Sequence, residues 1–135
     1  MTWTDATFQN GEAEGNRVPL VPQLRASGGF DLRLPAGLEL SADVLYVGSQ
    51  VLDNDDLNTQ EELGAYATVN AKLRWTHQGS GKGHAFGAFV ECRNLLDREY
   101  ATRGIYAFDF STFSNAVFVT PAPGLRLFAG LEWKL

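Results

Sequence analysis

Arginines set among aromatic rings are the residues of this chain best suited to hold a ligand. The stretch from Asp97 to Pro123 carries Arg98 and Arg103 together with Tyr106, Phe108, Phe110 and Phe113. Guanidinium groups grip anionic oxygens through charge-assisted hydrogen bonds, and aromatic faces stack on flat or cationic groups. Such a set could hold an anionic, aromatic ligand, and the same rings could instead pack the stretch onto its neighbours. Oxygen ligands cluster a second time in Asp53-Asn54-Asp55-Asp56-Leu57-Asn58. Hard cations want clustered oxygens. The EF-hand order fails, however: Leu57 stands where a ligand is wanted, Asn58 where glycine is needed and Gly64 where the bidentate glutamate belongs. A solvated acidic loop is the expectation. His77 and His84 flank a glycine-rich turn and supply too few ligands for a metal site, so both are expected as solvated turn residues. Cys92 is the lone cysteine, which excludes an internal disulfide or a thiolate cluster. Neither a Ser/His/Asp grouping, a phosphate-cradling loop nor an HExxH is present. The expectation is no catalytic residue, no metal, no cofactor and no enzyme.

The net charge of −5 argues against nucleic acid as a partner, since such a protein normally presents a basic face. No run of apolar residues is long enough for a transmembrane helix. The 14 glycines and 9 phenylalanines point to β structure with many tight turns. No charged segment followed by an apolar stretch opens the chain; if the protein is exported, its signal lies upstream of Met1.

The elements that must position these residues are strands. From Gly124 to Leu135, the apolar residues Leu125, Leu127, Ala129, Leu131, Trp133 and Leu135 alternate with Arg126, Phe128, Gly130, Glu132 and Lys134. Successive strand residues point to opposite faces, so one face is wholly apolar and the other mainly polar. The same alternation runs through Gln23 to Leu34, Leu38 to Tyr46, Ala65 to Thr76 and Phe86 to Arg93, and Thr2 to Phe8 is expected to be extended. Pro35-Ala36-Gly37 and Gly79-Ser80-Gly81-Lys82-Gly83 are short turns, whereas Gln9 to Pro22, Ser49 to Gly64 and Asp97 to Pro123 are long connections. About six antiparallel strands therefore follow one another up and down. Most reach the roughly 9–11 residues that cross a bilayer at a tilt. Alternating short turns and long loops, with apolar-out and polar-in walls, are the pattern of an outer-membrane barrel. On that reading Cys92 is a small filler on the lipid face. The charges Arg25, Asp31, Arg33, Glu39, Asp43, Lys72, Arg74, Glu91 and Arg93 lie on the lumen face, mixing signs across adjacent strands as cross-strand pairs would. A soluble antiparallel sheet with one face on a core also alternates, so a soluble binding domain stays open at this point. A small barrel completed by oligomerisation stays open as well.

The stretches Asn94-Leu95-Leu96-Asp97-Arg98-Glu99-Tyr100 and Pro121-Ala122-Pro123-Gly124-Leu125-Arg126 go beyond pattern. They resemble the C-terminal barrel of TonB-dependent outer-membrane receptors, where an Asn-Leu-Phe-Asp-x-x-Tyr stretch tops the penultimate strand and a Pro/Gly/Arg element opens the last. Asn94, Leu95, Asp97, Tyr100, Pro123 and Arg126 carry this likeness. Further pieces fit in order: Thr2-Trp3-Thr4-Asp5-Ala6, Asn16-Arg17-Val18-Pro19-Leu20-Val21-Pro22, Tyr46-Val47-Gly48-Ser49-Gln50 and Gly64-Ala65-Tyr66-Ala67-Thr68-Val69-Asn70. Leu96 stands where the family more often has Phe. The family usually ends in an aromatic residue read by the barrel-assembly machinery; here the chain ends in Leu135, with Trp133 as the nearest aromatic.

The resemblance implies an all-β, antiparallel meander forming residues 1–135 of a larger transmembrane barrel. Receptors of this kind resemble closed barrels of roughly 22 strands around a plug. Six strands leave unpaired edges that lipid cannot satisfy. The expectation is therefore a fragment, the C-terminal piece of a receptor, with the plug and earlier strands elsewhere. It further implies the bacterial outer membrane, a periplasmic C-terminus, contact with outer-membrane lipid and barrel-assembly machinery, and uptake of a scarce ligand driven by TonB. An iron–siderophore complex is the cargo such receptors most often take. Arg98, Arg103, Tyr106, Phe108, Phe110 and Phe113 would then belong to a ligand-facing outer loop.

Overall fold

A computed structural model describes residues 1–78 and 85–134 of the chain. The turn Gly79 to Gly83, His84 and the terminal Leu135 lie outside the described residues. The described residues form eight strands: β1 (Thr2–Trp3), β2 (Leu24–Leu34), β3 (Leu38–Val47), β4 (Tyr66–Gln78), β5 (Ala85–Arg93), β6 (Ala101–Asp109), β7 (Ser114–Pro121) and β8 (Arg126–Lys134). A six-stranded sheet runs in the order β1-β2-β3-β4-β5-β8, and β6 and β7 form a separate two-stranded sheet. The five alternating segments and the opening extended one thus supply the six strands of the larger sheet, an antiparallel meander. Two differences stand out. The opening segment forms strand only at Thr2 and Trp3, opposite Arg25 and Leu24, and the rest of Thr2 to Phe8 is not strand apart from a single bridge of Thr7 to Arg17. The connection Asp97 to Pro123 is no open loop but holds the β6–β7 hairpin.

The chain divides into two compact units. The wall unit comprises Ser27–Leu45, Thr68–Arg98 and Gly124–Leu135, and the loop unit comprises Met1–Ala26, Tyr46–Ala67 and Glu99–Pro123.

In the wall unit, the register turns the alternation into rows. Trp75, Ala88 and Leu131 oppose one another across β4, β5 and β8; so do Leu73, Val90 and Ala129, and Ala71, Cys92 and Leu127. Directly opposed residues share a face, so these rows make one continuous apolar surface that includes Cys92. None of the described large apolar side chains in this unit is buried; Leu131 is 77% and Trp133 75% exposed. A soluble antiparallel sheet covers one face with a core. Among the described residues this one buries no large apolar side chain, so its apolar face is left exposed.

The other face carries Lys72 opposite Glu91 opposite Phe128, and Arg74 opposite Phe89 opposite Gly130. Lys72 lies 3.9 Å from Glu91 and 4.4 Å from the centre of the Phe89 ring. Arg74 pairs with Glu132, and Arg93 holds Glu91 at 2.6 Å while lying over the Phe128 ring. Lys72 and Arg74 thus pair across strands, and Arg93 pairs along β5 with Glu91.

Two features set the end of the wall where β2 turns into β3. Gly37, at φ 77°, lies so close to the Thr76 carbonyl that a Cβ there would stand 2.1 Å from the oxygen. Only glycine fits. The Trp75 indole N–H donates to the Ala36 carbonyl at 3.1 Å, and its ring meets Phe86 edge-on. His77 is not a turn residue: it sits in β4 opposite Phe86 and stacks on Trp75 at 5.9 Å. With Trp133 also opposite Phe86, aromatic rings gather at this edge of the wall, as an interfacial girdle requires.

Candidate functional site

The family-motif residues of the wall unit build a turn. Asn94 is 4% exposed and takes the left-handed conformation (φ 51°), which asparagine tolerates better than most residues. Its side chain clasps Arg98 twice: Oδ1 accepts the Arg98 N–H and Nδ2 donates to the Arg98 carbonyl, both at 3.0 Å. The Asn94 N–H donates to Asn70 Oδ1, and the Leu95 N–H donates to the Val69 carbonyl, tying the turn to β4. Asp97, at φ 47°, accepts the Leu125 N–H at 2.7 Å and so sets where β8 begins. Arg126 then falls opposite Arg93. Each of these short polar side chains satisfies backbone groups that a turn leaves open. Their contacts are structural, with no reacting group among them.

The loop unit has its own small core of Val47, Val51, Leu52 and Leu63, all buried. Tyr66 and Tyr100 stack within it at 4.0 Å between ring centres. The Asp53–Asn58 segment is less solvated than its composition implies. Asp55 is 4% exposed and accepts the Thr59 N–H, the Thr59 hydroxyl and the Gln60 N–H at 2.9–3.0 Å. Burial pushes its pKa up, but the hydrogen bonds from Gln60 and Thr59 outweigh it and hold the carboxyl below the ordinary aspartate value. Asn58 exchanges hydrogen bonds with the backbone of Arg17, whose guanidinium pairs with Glu62 at 2.5 Å. The Asp55 carboxylate is consumed by Thr59 and Gln60, and that of Glu62 by Arg17. Among the described residues no cluster of His, Cys, Asp and Glu is arranged to hold a metal.

Asp53 joins this segment to the hairpin. Its N–H donates to the Gly104 carbonyl, its carbonyl accepts the Tyr106 N–H, both at 2.9 Å, and its carboxylate pairs with Arg103. Arg103 is therefore neutralised within the unit. Arg98 is exposed, with its backbone held by Asn94. Phe108 and Phe110 meet edge-on at 5.2 Å, and Phe110 and Phe113, at the hairpin tip, are 79% and 80% exposed. The six candidate residues thus part company. Arg103 and Tyr106 face the Asp53 junction, and the phenylalanines project from the far end of the hairpin.

Tyr106 also lines a cleft of about 640 Å³, with Phe8, Asn10, Glu12 and Ala13 on one side and Asn54, Asp55, Asp56, Leu57 and Thr59 on the other. Phe8, Glu12 and Leu57 were not legible as site residues. They sit in stretches without periodicity, and only the folding of three distant segments onto one another brings them together.

Residues 1–95 match the family model described as TonB dependent receptor-like, beta-barrel. Two solved receptors share the fold. BauA, the ferric preacinetobactin receptor of Acinetobacter baumannii, superposes with a TM-score of 0.63 at 18% identity over 91% of this chain. FyuA, the ferric yersiniabactin uptake receptor of Yersinia pestis, gives 0.60 at 27% identity over 91%. This chain spans 16% and 17% of the length of those two receptors. Proteins of this family are outer-membrane transporters rather than enzymes. A wall that is apolar on one face and ion-paired on the other, matched over most of its length by the family model, makes this chain a member of the TonB-dependent receptor β-barrel family.

Proposed function

We propose that the chain forms the C-terminal wall and an outer hairpin of an active-transport receptor for a scarce ligand, an iron–siderophore complex. In this reading β8 descends toward a periplasmic C-terminus, and Trp133 with Leu135 supplies the signal read by the barrel-assembly machinery. Outer-membrane lipid covers the Trp75–Ala88–Leu131 face, and TonB acts through parts of the receptor beyond these residues. The loop unit contributes to the ligand-facing mouth.

The observation that carries the reading is the division of β4, β5 and β8 into apolar and ion-paired rows. A wall of this kind is stable only between lipid and an aqueous, polar interior. The names of the two solved neighbours favour a ferric chelate as cargo. Expression of the chain with its native flanking sequence, in cells lacking their own siderophore receptors, tests it. The expected result is radio-iron uptake from added ferric siderophores that stops in a strain lacking TonB. An assembled, heat-modifiable barrel that takes up no ferric siderophore would overturn the assignment of cargo; failure to reach the outer membrane would overturn the barrel reading.

A further inference from the structure

We infer that the cleft between Phe8, Tyr106 and the Asn54–Thr59 segment is a binding site for an organic cation, an ammonium or guanidinium group carried on an apolar or aromatic body. The cleft's volume, about 640 Å³, is within the range of small-molecule sites. Its two aromatic walls, Phe8 and Tyr106, come from segments nearly a hundred residues apart. The rings supply the faces on which cations settle. No arginine or lysine lines it.

Its charge follows from which carboxylates are already spent. Asp55 is consumed by Thr59 and Gln60, Asp53 by Arg103 and Glu62 by Arg17. Glu12 and Asp56 line the cleft, and neither carboxylate has a hydrogen-bond or ion-pair partner among the described residues. Arg17 and Arg103 are thus neutralised within the loop unit, while two of the cleft's own acids are left open. That is the reverse of the charge that Arg98 and Arg103 suggest from sequence alone. Asp53 sets the site's width, because it grips Gly104 and Tyr106 on the hairpin and directly precedes Asn54 and Asp55.

For its cargo the inference rests on the receptor reading, where the cleft would seat a cationic group of the chelate; for binding itself it does not. The test is a titration of the isotopically labelled full chain in detergent micelles, followed by NMR. Benzyltrimethylammonium is the probe, and benzenesulfonate is the control of similar shape and opposite charge. The expected result is saturable shifts of the amides of Asn54 to Thr59 and of Tyr106 with the cation and none with the anion. Affinity should fall about fivefold in each of Glu12→Gln and Asp56→Asn, the scale of one solvent-screened charge contact, and fall further as salt is added. Both residues are exposed, so neither variant removes a buried contact. Equal binding of the anion, shifts that ignore both variants, or no shifts in a chain whose spectrum shows a folded loop unit would overturn the site. A failure here with intact iron uptake would leave the transport reading standing, and the converse result would leave the cleft standing.

Discussion

The Phe89 ring lies across Gly130 on the neighbouring strand, so close that a Cβ at residue 130 would stand 2.5 Å from the ring's Cε1. A large ring over a cross-strand glycine fills the space that the missing side chain leaves. It also explains why a neutral, small residue interrupts the otherwise polar face of β8. Lys72 rests on the same ring. Gly130→Ala should push Phe89 off its rotamer and away from Lys72, destabilising the wall by about 1–3 kcal/mol. The unfolding midpoint of the chain in detergent measures it, and Phe89→Leu in the same background should recover part of the loss.

Asn94 is predicted to be the most sensitive residue of the family-motif turn. Asn94→Ala leaves Asn94's backbone in a left-handed conformation that alanine resists and strips both polar contacts from Arg98. Together these should cost about 2–4 kcal/mol. Asn94→Gly keeps the conformation and loses only the hydrogen bonds, so it should cost roughly half as much. Denaturation of the two variants side by side separates the backbone contribution from the side-chain one.

Asp55 makes the loop unit sensitive to acid. Its pKa in the folded chain lies below the unfolded value of 3.8. Its contribution is therefore fully present above that value and is lost as the pH falls through the lower, folded pKa. Chemical shifts of the Thr59 and Gln60 amides should titrate with an inflection below 3.8. Asp55→Asn should abolish that inflection and lower stability at neutral pH, because one oxygen becomes a donor facing N–H groups.

Charge on the two faces should have unequal consequences. Ala129→Arg places a guanidinium in the middle apolar row with Leu73 and Val90, where lipid makes it cost about 2–4 kcal/mol. Phe128→Arg, one residue away, falls opposite Glu91 on the polar face and should cost well under half of that. The fraction of protein that inserts and folds in lipid vesicles, compared between the variants, reports the difference.

What could be read from the residues was whatever had a period. β2, β3, β4, β5 and β8 alternate so plainly that their order and approximate ends can be read in the sequence, including the place of Cys92 on the apolar face with Ala71 and Leu127. The β6–β7 hairpin was hidden because Ile105, Tyr106, Ala107 and Phe108 run together without alternation. The turn Phe110-Ser111-Thr112-Phe113 also lacks the glycine, proline or asparagine that would mark it. Thr2 to Phe8 has strand-like composition, but past Trp3 its backbone bonds go singly to Gln23, Val18, Asn16 and Gly15 rather than in a continuous ladder. The burial of Asp55 was illegible for another reason: a carboxylate enters the interior only when particular N–H groups meet it, and those belong to a loop conformation that no pattern encodes. The site suffered the same way. Arg103 carries no sign in the sequence that Asp53, fifty residues earlier, neutralises it.

The claim on which the rest depends is that the row through Leu127, Ala129 and Leu131 faces lipid while Phe128, Gly130 and Glu132 do not. Nitroxide labels at each of these positions, in a Cys92→Ser background assembled in lipid bilayers, test it through their relative accessibility to oxygen and to a water-soluble nickel chelate. A strict alternation is expected, with oxygen favoured at 127, 129 and 131 and the chelate at 128, 130 and 132. Uniform accessibility to the chelate, or an alternation of opposite phase, would contradict it.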